Sequence, residues 1–191
     1  PALSGQSANG FVQIINNSAT TQGDNSIGIR ASAYSDVEIT TSNVSTQGAN
    51  STGIYAIAQT GYVEINAGTV STQGIFSDGI NADAYGDVTI TVTGDVSTAG
   101  QFSTGIDAYA RTGGITINTA NISTAGDFSD GVYANGFAPV SVTTGDIQTQ
   151  GAFSRGVYAY SYNDSVTITT GNISTDGDFA TGIQGEAYTD L

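Results

Sequence analysis

The 191-residue chain sets 3 Lys or Arg against 17 Asp or Glu, a formal net charge of −14, and such a surface repels nucleic acid and anionic lipid. It holds 26 Gly, 10 Tyr and 2 Pro, with no Cys, His, Met or Trp. That composition excludes a disulfide framework, thiol catalysis and thiolate metal sites, and it favours strands over helices. No apolar run reaches the roughly 18 residues of a membrane span, so no membrane insertion of this segment is expected. The opening Pro1-Ala2-Leu3-Ser4-Gly5 has neither a basic nor an apolar leader character, and the chain reads as a mature or excised piece.

Residues 1–10 form a lead-in or cap, and residues 11–191 a single repeat domain. One column runs Val12, Val37, Val63, Val88, Ile115, Val140, Val166 and Leu191. A second runs Ala19, Val44, Val70, Val96, Ile122, Ile147 and Ile173, and a third Gly28, Gly53, Gly79, Gly105, Gly131, Gly156 and Gly182. The repeat is about 26 residues, and there are about seven of them.

Around each column apolar and polar residues alternate, as in Ile80-Asn81-Ala82-Asp83-Ala84, Val88-Thr89-Ile90-Thr91 and Val96-Ser97-Thr98. A period of two means strands with one buried face. These are strands A, B and C, joined by Gly-, Ser- and Asp-rich corners too short for a helix. Hairpins would not predict same-position identity one repeat later, whereas stacking equivalent strands does. The expected fold is all-β: a right-handed, three-sided parallel β-helix.

Two corner columns follow strand C. Gly23, Gly48, Gly74, Gly100, Gly126, Gly151 and Gly177 suit a position that needs positive φ or a close backbone approach. Two residues later come Asn25, Asn50, Phe76, Phe102, Phe128, Phe153 and Phe179. The Phe stack is expected to be buried support for the C-to-A corner. Strand A supplies small Ala inward and strand B larger Val and Ile, so most core stabilisation is expected from B and C.

Units such as Val44-Ser45-Thr46-Gln47-Gly48, Ser51-Thr52-Gly53-Ile54-Tyr55-Ala56 and Val70-Ser71-Thr72-Gln73-Gly74 resemble repeats of autotransporter passenger domains of Gram-negative bacteria. The resemblance covers about Phe11 to Leu191. It implies export through an outer-membrane β-barrel, an extracellular place on the cell surface or in secreted form, and a role as adhesin or stalk. No functional residue transfers from it.

Four surfaces carry candidate chemistry. Tyr55, Tyr85, Tyr109, Tyr133, Tyr158 and Tyr160 lie on outward positions of strand A or its exit, beside Asn81, Asp83, Asp107 and Asn135. Exposed rings stack on sugar faces while the polar groups bond hydroxyls, so face A is the candidate contact for a host or bacterial glycan or protein. The alternative for these Tyr is simple cross-strand pairing. On strand B, Thr89, Thr91, Thr116, Thr143, Thr167 and Thr169 form a Thr-x-Thr grid that resembles the ice-binding faces of β-helical antifreeze proteins, although Gln13, Ile15, Glu38 and Glu64 interrupt it at one end. Corner Asp residues such as Asp24, Asp95, Asp127, Asp146 and Asp178 offer oxygen ligands, yet they lack the spacing of calcium-binding β-rolls, and no metal or other cofactor is expected. The third functional alternative is a polysaccharide-degrading enzyme using Asp83 and Asp107; regular turns without cleft-walling loops point away from it. Because Leu191 returns to the column of Val12 after whole turns, head-to-tail self-association is also expected.

Overall fold

The computed structural model describes residues 1–188, and within them every regular element is a strand. Face A is built from β1 (Leu3–Ser7), β4 (Ile29–Ala33), β6 (Ile54–Ala58), β8 (Ile80–Ala84), β11 (Ile106–Ala110), β14 (Val132–Gly136), β17 (Arg155–Ser161) and β20 (Thr181–Ala187). Face B holds β2 (Val12–Ile15), β9 (Val88–Val92), β12 (Ile115–Thr119), β15 (Val140–Thr144) and β18 (Val166–Thr169). Face C holds β3 (Ser18–Thr21), β10 (Val96–Thr98), β13 (Ile122–Thr124), β16 (Ile147–Thr149) and β19 (Ile173–Thr175). Two long strands, β5 (Val37–Thr46) and β7 (Val63–Thr72), run through both B and C.

All pairing is parallel, and each strand lies in register with its copy one repeat away: Ile106 pairs with Ile80 and Val132, Ile117 with Ile90 and Val142, and Val96 with Val70 and Ile122. The chain is therefore a parallel β-solenoid of about seven turns. Face A forms one eight-stranded sheet. Faces B and C merge into a second sheet, because Thr41 with Ala67 and Asn43 with Thr69 continue the ladder around the corner. Higher up the two faces separate where the Gly94-Asp95 and Gly145-Asp146 corners bend the chain. Within the lead-in, Leu3–Ser7 is a full rung of face A, paired with Ile29–Ala33. Leu191, the last member of the first apolar column, lies outside the described residues.

The core is a stack of rungs. Ile29, Ile54, Ile80 and Ile106, then Val132 and Val157, form one fully buried ladder along face A, with Ala behind them. Face A thus contributes large side chains too, although most of the buried Val and Ile stand on faces B and C, as expected. A buried Ile is worth roughly 1.5–3 kcal/mol, and it occurs here on all three faces.

One corner expectation resolves to its second alternative, close approach, and one is corrected. Among the described residues no Gly has positive φ; the left-handed ones are Asn25, Asn50, Phe76, Phe102, Phe128, Phe153 and Phe179, with φ between 52° and 58°. The preceding Gly column instead serves close approach, since a Cβ on Gly126 would collide with the carbonyl of Gly100 below it. The Phe rings are not buried. Positive φ swings them outward, and Phe102, Phe128 and Phe153 are 45–50% exposed.

What supports the corner is hydroxyl chemistry. The amide of Ser77 donates to Ser103 Oγ (2.9 Å), that of Ser103 to Ser129 Oγ (3.0 Å), and that of Ser129 to Ser154 Oγ (3.0 Å). Each hydroxyl passes its proton on, Ser129 to the carbonyls of Gly100 and Asp127. From the ends of the C strands that enter the corner, Thr98 and Thr124 donate to the carbonyls of Ser103 and Ser129. These side chains are almost wholly buried, so each bond satisfies a group that water cannot reach.

Candidate functional site

Register sorts the outward side chains of face A into vertical columns. The first runs Arg30, Tyr55, Asn81, Asp107, Tyr133, Tyr158 and Gln184, and the second Ser32, Ile57, Asp83, Tyr109, Asn135, Tyr160 and Glu186. A third, at the exit of each strand, carries Tyr34, Gln59, Tyr85, Arg111, Phe137, Tyr162 and Tyr188, whose amides bond the carbonyl at the end of the strand below. The six candidate Tyr therefore do not form one stripe. Tyr55 stands low beside Arg30, whose guanidinium lies 5.7 Å from its ring centre. Tyr85 and Tyr109 are exposed at mid-height. Tyr133, Tyr158 and Tyr160 belong to an upper cluster.

That cluster is the densest aromatic surface on face A. Tyr133 and Tyr158 stack with centroids 5.0 Å apart, Tyr160 meets Tyr162 edge-on at 4.7 Å, and Tyr188 lies 5.5 Å from Tyr160. Arg155 covers the stack from the side, 4.2 Å from the Tyr158 centre, while its guanidinium grips Asp130 Oδ2 at 2.6 and 3.1 Å. The Asp130 carboxylate also accepts the Arg155 amide at 2.7 Å. A cation bonded to a carboxylate and laid on two rings is a rigid anchor. Burial pushes the pKa of the Tyr158 hydroxyl upward, with Glu186 adding to the effect, so that ring stays neutral at ordinary pH.

Below it the face is acidic. Asn81 Nδ2 donates to Asp107 Oδ2 (3.2 Å) and to Asp78 Oδ2 (3.4 Å), while Asp83 is taken by Arg111 at 2.9 Å. Asp107 is pushed up to about 7, by burial first and then by Asp78, Asp130 and Asp83. Asp83 and Asp107, the pair weighed for glycoside hydrolysis, share no hollow: a shallow recess of about 160 Å³ takes in Asp83, Tyr85 and Arg111 but not Asp107.

On face B the Thr ladders are in register. Thr89, Thr116, Ser141 and Thr167 form one, and Thr91, Asn118, Thr143 and Thr169 the other. Thr116, Thr143, Thr167 and Thr169 are exposed. Two rungs lower, Glu38 is held below the usual carboxylate range by the Tyr62 hydroxyl and the Gln13 amide. Corner carboxylates serve the backbone: Asp24 accepts the Ala49 amide (2.9 Å), Asp127 that of Ala152 (2.8 Å) and Asp146 that of Asn172 (2.7 Å). Each ties a turn to the next.

Sequence reading missed the Arg155–Asp130 pair, although both precede a Gly of the Gly28 column and the 25-residue spacing places them one above the other. It also left Tyr162 and Tyr188 outside the contact set. The fold and this surface define a β-solenoid with flat, side-chain-laddered walls. No protein-family profile, curated protein sequence or solved structure matches the chain.

Proposed function

We propose that the chain is a non-catalytic module of a bacterial cell surface, adhesin-like in role and built as a stalk, whose specific contact is a glycan bound to the upper half of face A. The carrying observation is the cluster of Tyr160, Tyr162 and Tyr188, whose rings meet edge-on or tilted rather than stacked, propped against the Tyr133–Tyr158 pair that Arg155 holds. Tyr162 and Tyr188, both exposed, offer sugar faces an apolar platform, and Gln184 and Glu186 supply hydroxyl partners beside them. Resemblance of the repeats to autotransporter passengers supports the cell-surface setting. Glycan-array and cell-binding assays on the native chain and on Tyr133→Ser plus Tyr158→Ser test the reading. Glycan signal lost in the variant supports it; binding to cells without any glycan signal assigns the face to a protein partner; unchanged binding removes face A.

Ice binding is the second reading, favoured by the two in-register hydroxyl ladders of face B. Thermal hysteresis lost on Thr143→Tyr supports it, and absence of hysteresis in the native chain eliminates it. Head-to-tail association of copies is a further partner proposal, read by sedimentation.

A further inference from the structure

The outward Phe column is a continuous ridge. Phe76, Phe102, Phe128, Phe153 and Phe179 stack with centroids 5.0–5.2 Å apart and planes within 13° of parallel. Nothing in the corner requires Phe, because Asn50 and Asn25 take the same left-handed conformation one and two turns below Phe76, and Asn adopts it with less strain. Nor do the rings close the core, which the buried Ser and Thr beneath them already do. Five strained rings, four of them half-exposed and Phe179 more so, are thus held in line at no service to the interior.

The stacking decides what the ridge recognises. Rings piled along the solenoid axis present their edges, not their faces, to solvent. Aromatic edges carry the positive part of the quadrupole and prefer the π-face of another ring. Sugar stacking, which needs exposed faces, is therefore a poor fit. Asp127 and Asp178 directly precede Phe128 and Phe179, and the chain's charge is −14, which favours a cation. A second copy is disfavoured by that same charge. The ridge also offers only about 500 Å² of apolar surface, below the roughly 800 Å² per partner of a stable interface.

We infer that the Phe ridge is a binding site for elongated, planar aromatic cations, which lie along the axis with an uncharged ring of the ligand face-down on the Phe edges and the charged group off the edges, toward Asp127 or Asp178. This goes beyond the contact assigned to face A and uses none of its residues.

The test is a fluorescence titration with thioflavin T, a flat aromatic cation, against the native chain, the triple variant Phe102→Asn, Phe128→Asn and Phe153→Asn, and the double variant Tyr133→Ser plus Tyr158→Ser. Asn already occupies this column at two turns, so the triple variant retains the corner, which far-UV circular dichroism verifies. The expected result is saturable micromolar binding that weakens at least tenfold in the triple variant, is unchanged in the Tyr variant and falls with added salt. Equal binding by the triple variant, or no saturable binding by the native chain, overturns the inference. Sedimentation showing a native dimer that the triple variant lacks overturns it as well, by giving the ridge to a second copy.

Discussion

Phe128 and Ser129 are neighbours in the chain and stand on opposite sides of the solenoid wall: the ring is half exposed and stacked on its copies, while the hydroxyl is fully buried and accepts the amide of Ser103. The φ of 55° at Phe128 makes the reversal. The corner is closed from within by Ser and Thr, which leaves its aromatic column to the outside.

The corner glycines are expected to differ sharply along one column. Gly126→Ala drives a methyl into the Gly100 carbonyl, whereas the nearest atom to a Cβ on Gly23 is Ser26 Oγ at 3.4 Å. Urea unfolding should show a loss of about 1–3 kcal/mol or more for Gly126→Ala and within about 0.5 kcal/mol for Gly23→Ala. Equal losses would contradict the close-approach role.

Asp107 gives a signed pH dependence. Its carboxyl sits near 7 in the folded chain against the ordinary 3.8, so the native state binds the proton more readily than the unfolded one. The stability it subtracts grows as pH rises from about 4 to 7 and is fully present above 7. Asp107→Asn should therefore stabilise the chain most at pH 8, with the gain shrinking steadily toward pH 4. Thermal melts of both proteins across that range measure it, and a gain independent of pH would refute the assignment.

Arg155 is expected to matter through its fork as well as its charge. Arg155→Ala strips two bonds from Asp130, whose side chain is only 11% exposed, at a cost of about 1.5–3 kcal/mol. Arg155→Lys should recover only part, because an ammonium neither grips bidentately nor lies flat on Tyr158. Full recovery by Lys would reduce the contact to charge alone.

The solenoid was legible because its signal is redundant: seven copies of Val or Ile at fixed spacing, each flanked by period-two alternation, leave few other ways to bury the apolar face. Outward placement of Tyr133, Tyr158 and Tyr160 followed from the same alternation. The corners were less legible. Outside regular strands, side-chain direction depends on the φ of the individual residue, so an unbroken Phe column looks the same whether it points in or out. The merging of faces B and C along β5 and β7 escaped notice for a related reason, since Thr41-Ser42-Asn43 has the composition of a turn yet pairs as strand. Interruption of the Tyr columns by Asn81, Asp83 and Asp107 was visible in the residues, but its meaning depended on which column each one joins.

The most direct measurement is a paired unfolding experiment on the two neighbours at one corner. Ser129→Ala leaves the buried amide of Ser103 without its acceptor, and the expected loss is about 1–3 kcal/mol. Phe128→Asn gives up two ring stacks, about 0.5–1.5 kcal/mol each. It also relieves left-handed strain of about 1–2 kcal/mol by introducing the residue found at Asn25 and Asn50, so stability should stay within about 1 kcal/mol of the native chain. That ordering is what a corner closed by hydroxyls predicts. A large loss for Phe128→Asn together with a silent Ser129→Ala would contradict it and return the aromatic column to a structural role.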